Sequence, residues 1–189
     1  LFACTTLSTV NGAKTIEPKT WETGLGASIQ NNNPISTAIG IPVPQIEILV
    51  RYGLRENLDM GTRIYLGGLL FDLRYQFWQQ GNWIFAIDPS IGGLYSPIGG
   101  VADIRIPIIA QKDLNEKWSF ATGLTPISQN TYVFFPGMRE NMKHNSMGTF
   151  VRMEKRGRTF TWGFSTDIYE RTDLGIMPSV NFGIDLSRN

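Results

Sequence analysis

Lysine is scarce where a water-facing sheet would carry it. The chain has six lysines (Lys14, Lys19, Lys112, Lys117, Lys143, Lys155), and none falls in the middle of an alternating segment. Other scarcities narrow the field. Charged residues make up 17% of the chain, against about a quarter in ordinary soluble domains. Cys4 is the only cysteine, which excludes an internal disulfide. With His144 as the one histidine, no ligand set for zinc is expected, and no other cofactor. No apolar run approaches the roughly 18 residues of a membrane-crossing helix. That leaves crossing by strands open, because alternating residues cancel in a hydropathy average. The net charge is +1 and the longest basic cluster is Lys155-Arg156-Gly157-Arg158, so nucleic acid is not an expected partner.

What is present is alternation. About ten segments repeat it: 20–30, 44–54, 57–67, 69–79, 82–94, 101–111, 117–125, 146–155, 159–169 and 179–186. Each is near the 9–11 residues that a tilted strand needs to cross a bilayer. In the third, Leu58, Met60, Thr62, Ile64 and Leu66 oppose Asp59, Gly61, Arg63 and Tyr65. The polar faces hold Gly, Ser, Asp, Arg and Asn, which suit a narrow and crowded interior. The pattern predicts an all-β fold: a closed antiparallel up-and-down transmembrane β-barrel, apolar outward and polar inward. The barrel is expected over 20–189, behind a linker that ends at Lys19.

Short polar turns at 55–56, 80–81, 113–116 and 156–157 alternate with mostly longer connections at 31–43, 95–100, 126–145 and 170–177; only Gly67-Gly68 breaks the asymmetry. Outer-membrane barrels are threaded this way, with the short turns periplasmic. An even strand count puts both termini on that side. Trp21, Tyr52, Tyr65, Trp78, Trp83, Trp118 and Tyr169 cluster at segment ends, where a headgroup girdle is expected.

Two stretches carry a resemblance. The hairpin Arg51-Tyr52-Gly53-Leu54-Arg55-Glu56-Asn57-Leu58-Asp59-Met60-Gly61 resembles one that recurs in small bacterial outer-membrane β-barrel proteins. Leu1-Phe2-Ala3-Cys4 resembles the end of a bacterial lipoprotein signal, which implies acylation of Cys4. The resemblance implies a bacterial outer-membrane location, with residues 1–19 as a lipobox-like N-terminus and linker.

The inward faces bring ions of both signs together: Glu22, Glu47, Arg51, Asp59, Arg63, Asp72, Arg74, Asp88, Asp103, Arg105, Arg152, Glu154, Asp167 and Asp185. In a small lumen such charges must pair, so a salt-bridged interior is expected. A narrow passive pore is the alternative. The apolar stretch 131–138, with Tyr132, Phe134, Phe135 and Met138, is expected to lie in the longest loop as a partner contact or a lid. The expected partners are membrane lipids and an envelope protein at the long loops. No catalytic residue is expected. His144 with Ser146 and Glu140 would be the arrangement for a lipid-modifying rim enzyme, and a loop histidine is more simply solvated. A soluble ligand-carrying barrel would need the opposite sidedness and an outer face rich in lysine.

Overall fold

The computed structural model describes residues 12–31, 42–96, 99–135, 138–157, 161–171 and 175–187. Among them lie β1 (Trp21–Asn31), β2 (Pro42–Arg55), β3 (Leu58–Tyr65), β4 (Gly68–Gln80), β5 (Trp83–Ile87), β6 (Ser90–Ser96), β7 (Gly99–Arg105), β8 (Ile108–Asp113), β9 (Trp118–Phe135), β10 (Met138–Arg156), β11 (Thr161–Arg171) and β12 (Gly175–Ser187). Every pairing is antiparallel. β1 pairs with β12, and β9 with β10, so the sheet closes on itself. Both β5 and β6 pair with β4, and both β7 and β8 pair with β9. Each couple is therefore one spanning strand in two halves, and the chain is a closed ten-stranded barrel.

Proline causes the two breaks. Asp88 N–H donates to the Pro107 carbonyl at 2.9 Å, and Leu73 N–H to the Pro89 carbonyl at 3.0 Å. On the next strand, Ile106 N–H donates to the Pro126 carbonyl at 3.1 Å. The register runs straight through, but a proline returns no N–H to its partner. Replacing Pro126 with valine should restore the reciprocal bond to Ile106. We expect a gain of about 0.5–1.5 kcal/mol, measured by urea unfolding in phospholipid vesicles.

The registers also set the tilt. A path from Glu22 through Arg51, Gly61, Asp72, Ser90, Arg105, Ile127, Ser146 and Arg171 reaches Gly175. Gly175 lies four residues before Ser179, the partner of Gln30, so the circuit returns to β1 twelve positions along. That stagger over ten strands corresponds to a tilt of about 40°.

Alternation decides sidedness. Leu25, Ile48, Ile64, Phe71, Ile104, Leu124, Val151 and Phe182 point out, while Glu47, Arg51, Asp59, Asp103 and Arg152 are buried inside. An outer surface this apolar is incompatible with water and matches acyl chains. At the turn end, Trp21 packs on Tyr52 with ring centroids 4.6 Å apart, and Trp118 meets Trp162 edge-on at 5.7 Å. Lys112 and Lys155 lie over Trp83 and Trp118, at 5.2 and 5.4 Å. Indoles under ammonium groups are what a headgroup layer selects. Tyr65 does not belong to this girdle. It sits on the inward face of β3, and its hydroxyl donates to the Gly93 carbonyl at 3.1 Å. The Tyr169 side chain lies outside the described residues.

Three of the four expected long connections fail on length. The stretch 126–145 is not a loop: β9 and β10 pair without interruption from Lys155↔Trp118 to Met138↔Phe135. Tyr132 is therefore a strand residue, Phe134 and Phe135 end β9, and Met138 begins β10. Polar residues in this stretch pair as well as apolar ones, because a hairpin edge needs only backbone groups. Likewise β6 runs to Ser96, β7 starts at Gly99, β11 runs to Arg171 and β12 starts at Gly175. Two more of the supposed long connections thus shorten to two and three residues, and the fourth, 31–43, lies largely outside the described residues.

Candidate functional site

The described part of the expected linker, residues 12–19, runs against the barrel interior. Residues 12–20 do not lie free; they cross the lumen at the turn end as a strap. Glu17-Pro18-Lys19-Thr20 forms a turn, with Thr20 N–H donating to the Glu17 carbonyl at 3.3 Å and Lys19 at φ 63°. Proline before a residue of positive φ is the signature of a type II turn. The turn pairs with β2: Lys19 N–H donates to the Gly53 carbonyl at 2.8 Å, and Gly53 N–H to the Thr20 carbonyl at 3.0 Å. A Cβ on Gly53 would collide with the Glu17 carbonyl, so only glycine lets the strap pass.

From there the strap is bound wall by wall. Ile16 N–H donates to Asp59 Oδ2 at 3.0 Å, and the Thr15 hydroxyl to the Glu56 carbonyl at 2.7 Å. Ala13 N–H donates to Gln111 Oε1 at 2.7 Å, and Arg74 Nη1 donates to the Gly12 carbonyl at 2.8 Å. A buried peptide needs partners for its backbone groups, and here lumen side chains supply them. Residues 5–11 of the expected linker, and Cys4, lie outside the described residues.

Above the strap sits an ion cluster built on β2, β3, β4 and the β5–β6 break. Arg51 is its centre. It meets Asp59 at 3.1 Å, Asp88 at 3.6 Å, and Asp72 in direct contact. Arg74 binds Asp59 through Nε at 3.2 Å and Nη2 at 2.6 Å. Arg63 lies 3.9 Å from both Asp72 and Asp88. Three guanidinium groups face three carboxylates, so the cluster is neutral. Arg51 reaches Asp72 across Gly61, where a Cβ would stand 2.6 Å from Asp72 Oδ1 and 2.7 Å from Arg51 Nη2.

The remaining inward ions form other groups. Arg105 binds Asp103 at 2.7 Å higher in the lumen, where Glu47 is also fully buried. At the turn end Arg152 binds Glu154 at 3.1 Å, and Arg156 bridges Asp113 at 2.7 Å and Glu154 at 3.4 Å. Glu22 is half-buried beside Arg51 on the adjoining strand. Asp167 is on β11 with its side chain outside the described residues, as are the side chains of Phe134, Phe135 and Met138. Tyr132 is half-buried. His144 and Ser146 are on β10, on the same face two residues apart; Glu140 is on the same strand.

Across the lumen from the ion cluster, among buried polar residues such as Gln111 and Arg152, lies a small apolar cluster that the inward faces did not lead one to expect. Ala13 of the strap, Ile84, Ala86, Ile109, Ala121 and Phe150 form one buried cluster. The Phe150 ring covers Gly123, its partner across the β9–β10 ladder, where a Cβ would stand 2.6 Å from Cε1. The signal was in the sequence: Ile84 and Ile109 occupy inward positions by parity, and a bulky Phe150 faces a glycine. The strap contacts carried no such signal, because 12–20 has no periodicity. Among the described residues no group of His, Cys, Asp and Glu is arranged to hold a metal ion.

No protein-family model matches the chain, and no curated protein does. Solved structures of similar shape include neisserial surface protein A (9% identity, TM-score 0.45, covering 89% of this chain and 97% of that one). The attachment invasion locus protein Ail of Yersinia pestis is similar at 11% identity and TM-score 0.43, over 91% and 98%. The KdgM porin is similar at 8% identity and TM-score 0.46, over 89% and 99%. At these values the likeness carries no functional weight. The barrel stands on its own registers and sidedness.

Proposed function

We propose that this protein is a closed structural or interaction barrel of a bacterial outer membrane, with both termini periplasmic and the long β9–β10 hairpin outside. The supporting observation is the filling of the lumen from both sides. A neutral ion cluster lies on one side, a small apolar cluster with buried polar neighbours on the other, and the strap ties them together across the turn-end mouth. Balanced, buried charges compensate one another and present no net charge to select an ion of either sign. The hairpin supports the orientation. β10 starts at Met138 and meets β11 only at Ser146, so its upper part stands above that neighbour as a platform for an envelope partner.

Acylation of Cys4 fits the same arrangement. Extended at roughly 3.3–3.6 Å per residue, the eight residues from Gly12 back to Cys4 would have a reach of about 26–29 Å, comparable to the thickness of a hydrocarbon core. Because the barrel already holds itself in the bilayer, the acyl chain would seat the strap rather than anchor the protein.

The test is electrical. The full chain in a planar bilayer should show no discrete openings at moderate voltage. Regular steps of one size would replace this reading with that of a narrow pore.

A further inference from the structure

We infer that the rim over the β3–β4 hairpin holds a lipid acyl chain, drawn from the leaflet opposite the termini into a groove beside the lumen mouth. The groove has a volume of about 470 Å³; Leu69, Leu94, Tyr95 and Val101 wall it above Gly67 and Gly68. It is a shallow, open depression, so an occupant would keep one side in the bilayer.

The hairpin that floors it is built for hydrocarbon. The other tight turns among the described residues carry Glu56-Asn57, Gly81-Asn82 and Asn115-Glu116-Lys117, whereas this one is Leu66-Gly67. Leu66 is 85% exposed and Tyr95 77%, and both continue the outward column of Ile64, Leu69 and Ile91. The groove is thus continuous with the lipid-facing surface. Polar groups at the tip are paired within the protein, as a dry medium demands. Tyr95 N–H donates to the Gly67 carbonyl at 3.1 Å, and the Tyr65 hydroxyl to the Gly93 carbonyl at 3.1 Å. Gly67 supplies the positive φ, 77°, that the turn needs.

The tip is also a low point in the wall. β3 ends at Tyr65, opposite Glu47, but β2 continues beyond that to Pro42 with no β3 partner. On the other flank β4 begins at Gly68, opposite Leu94, while β6 continues to Ser96. Through this notch the apolar outer surface meets the inward-facing Leu94 and Val101. A peptide strand is the wrong occupant: the free edge of β2 carries Pro42 and Pro44, a device that blocks strand addition. An acyl chain needs no backbone partner and matches the apolar walls.

The test uses the full chain with Cys4→Ser, spin-labelled after Leu94→Cys or, separately, Val101→Cys, in dimyristoylphosphatidylcholine vesicles. Ile91→Cys reports the lipid-facing surface and Asn115→Cys the aqueous turn; heat-shifted electrophoretic mobility verifies folding of each variant. With a chain in the groove, labels at 94 and 101 collide more with oxygen than with a water-soluble nickel complex, as at 91. Greater access to nickel, as at 115, would mean a water-filled groove and overturn the inference. Low access to both reagents would mean that protein covers it, with the same consequence.

Discussion

Arg51→Met is expected to destabilise the barrel by about 3–5 kcal/mol, because breaking a buried ion pair strands its partners. Asp59, Asp72 and Asp88 all lean on this one guanidinium. Arg74 holds Asp59 closely, but Arg63 stands 3.9 Å from both of the others. Removing Arg51 therefore leaves two buried carboxylates weakly matched. Urea unfolding in phospholipid vesicles, followed by tryptophan fluorescence, measures the loss. Adding Asp72→Asn to Arg51→Met should recover part of it, since one uncompensated charge goes with it. A loss below about 1 kcal/mol would mean that water screens these ions as it does at a surface, and would count against a filled lumen.

The second large effect is on the other side of the lumen. Phe150→Ala should cost about 3–5 kcal/mol, the range for emptying a packed aromatic site. The ring is almost wholly buried, it covers Gly123, and it belongs to the cluster that includes Ala13 of the strap. The control is Phe164→Ala on β11, whose side chain faces outward and is 46% exposed. There, acyl chains can refill the space, so the loss should be distinctly smaller. Equal losses at the two sites would indicate that the lumen is loosely packed.

Strand sidedness was readable because it is local. Arg105, Asp72 and Asp103 each sit between outward apolar residues, and period-two alternation alone assigns them inward. Turns were readable to within a residue for the same reason: those expected at 55–56 and 80–81 lie at Glu56-Asn57 and Gly81-Asn82. Strand ends were less so. Nothing local separates a loop from a hairpin that rises past its neighbour, and 126–145 was misread as a loop accordingly. Pro126 and its polar neighbours resemble a loop, yet the pairing continues through them.

The sequence by itself determined a membrane barrel of about ten strands, with its charges inside, because every strand states its two faces in consecutive residues. Only the tertiary structure decided that Arg51 meets three aspartates, that Phe150 and Ala13 share a core, and that residues 12–20 bar the mouth. The Arg51 contacts step along neighbouring strands and depend on the register of each hairpin; those of Phe150 and the strap run across the lumen. The latter depend on closure and on the twelve-residue stagger accumulated around the barrel, and no stretch of sequence states a quantity that all the strands set together.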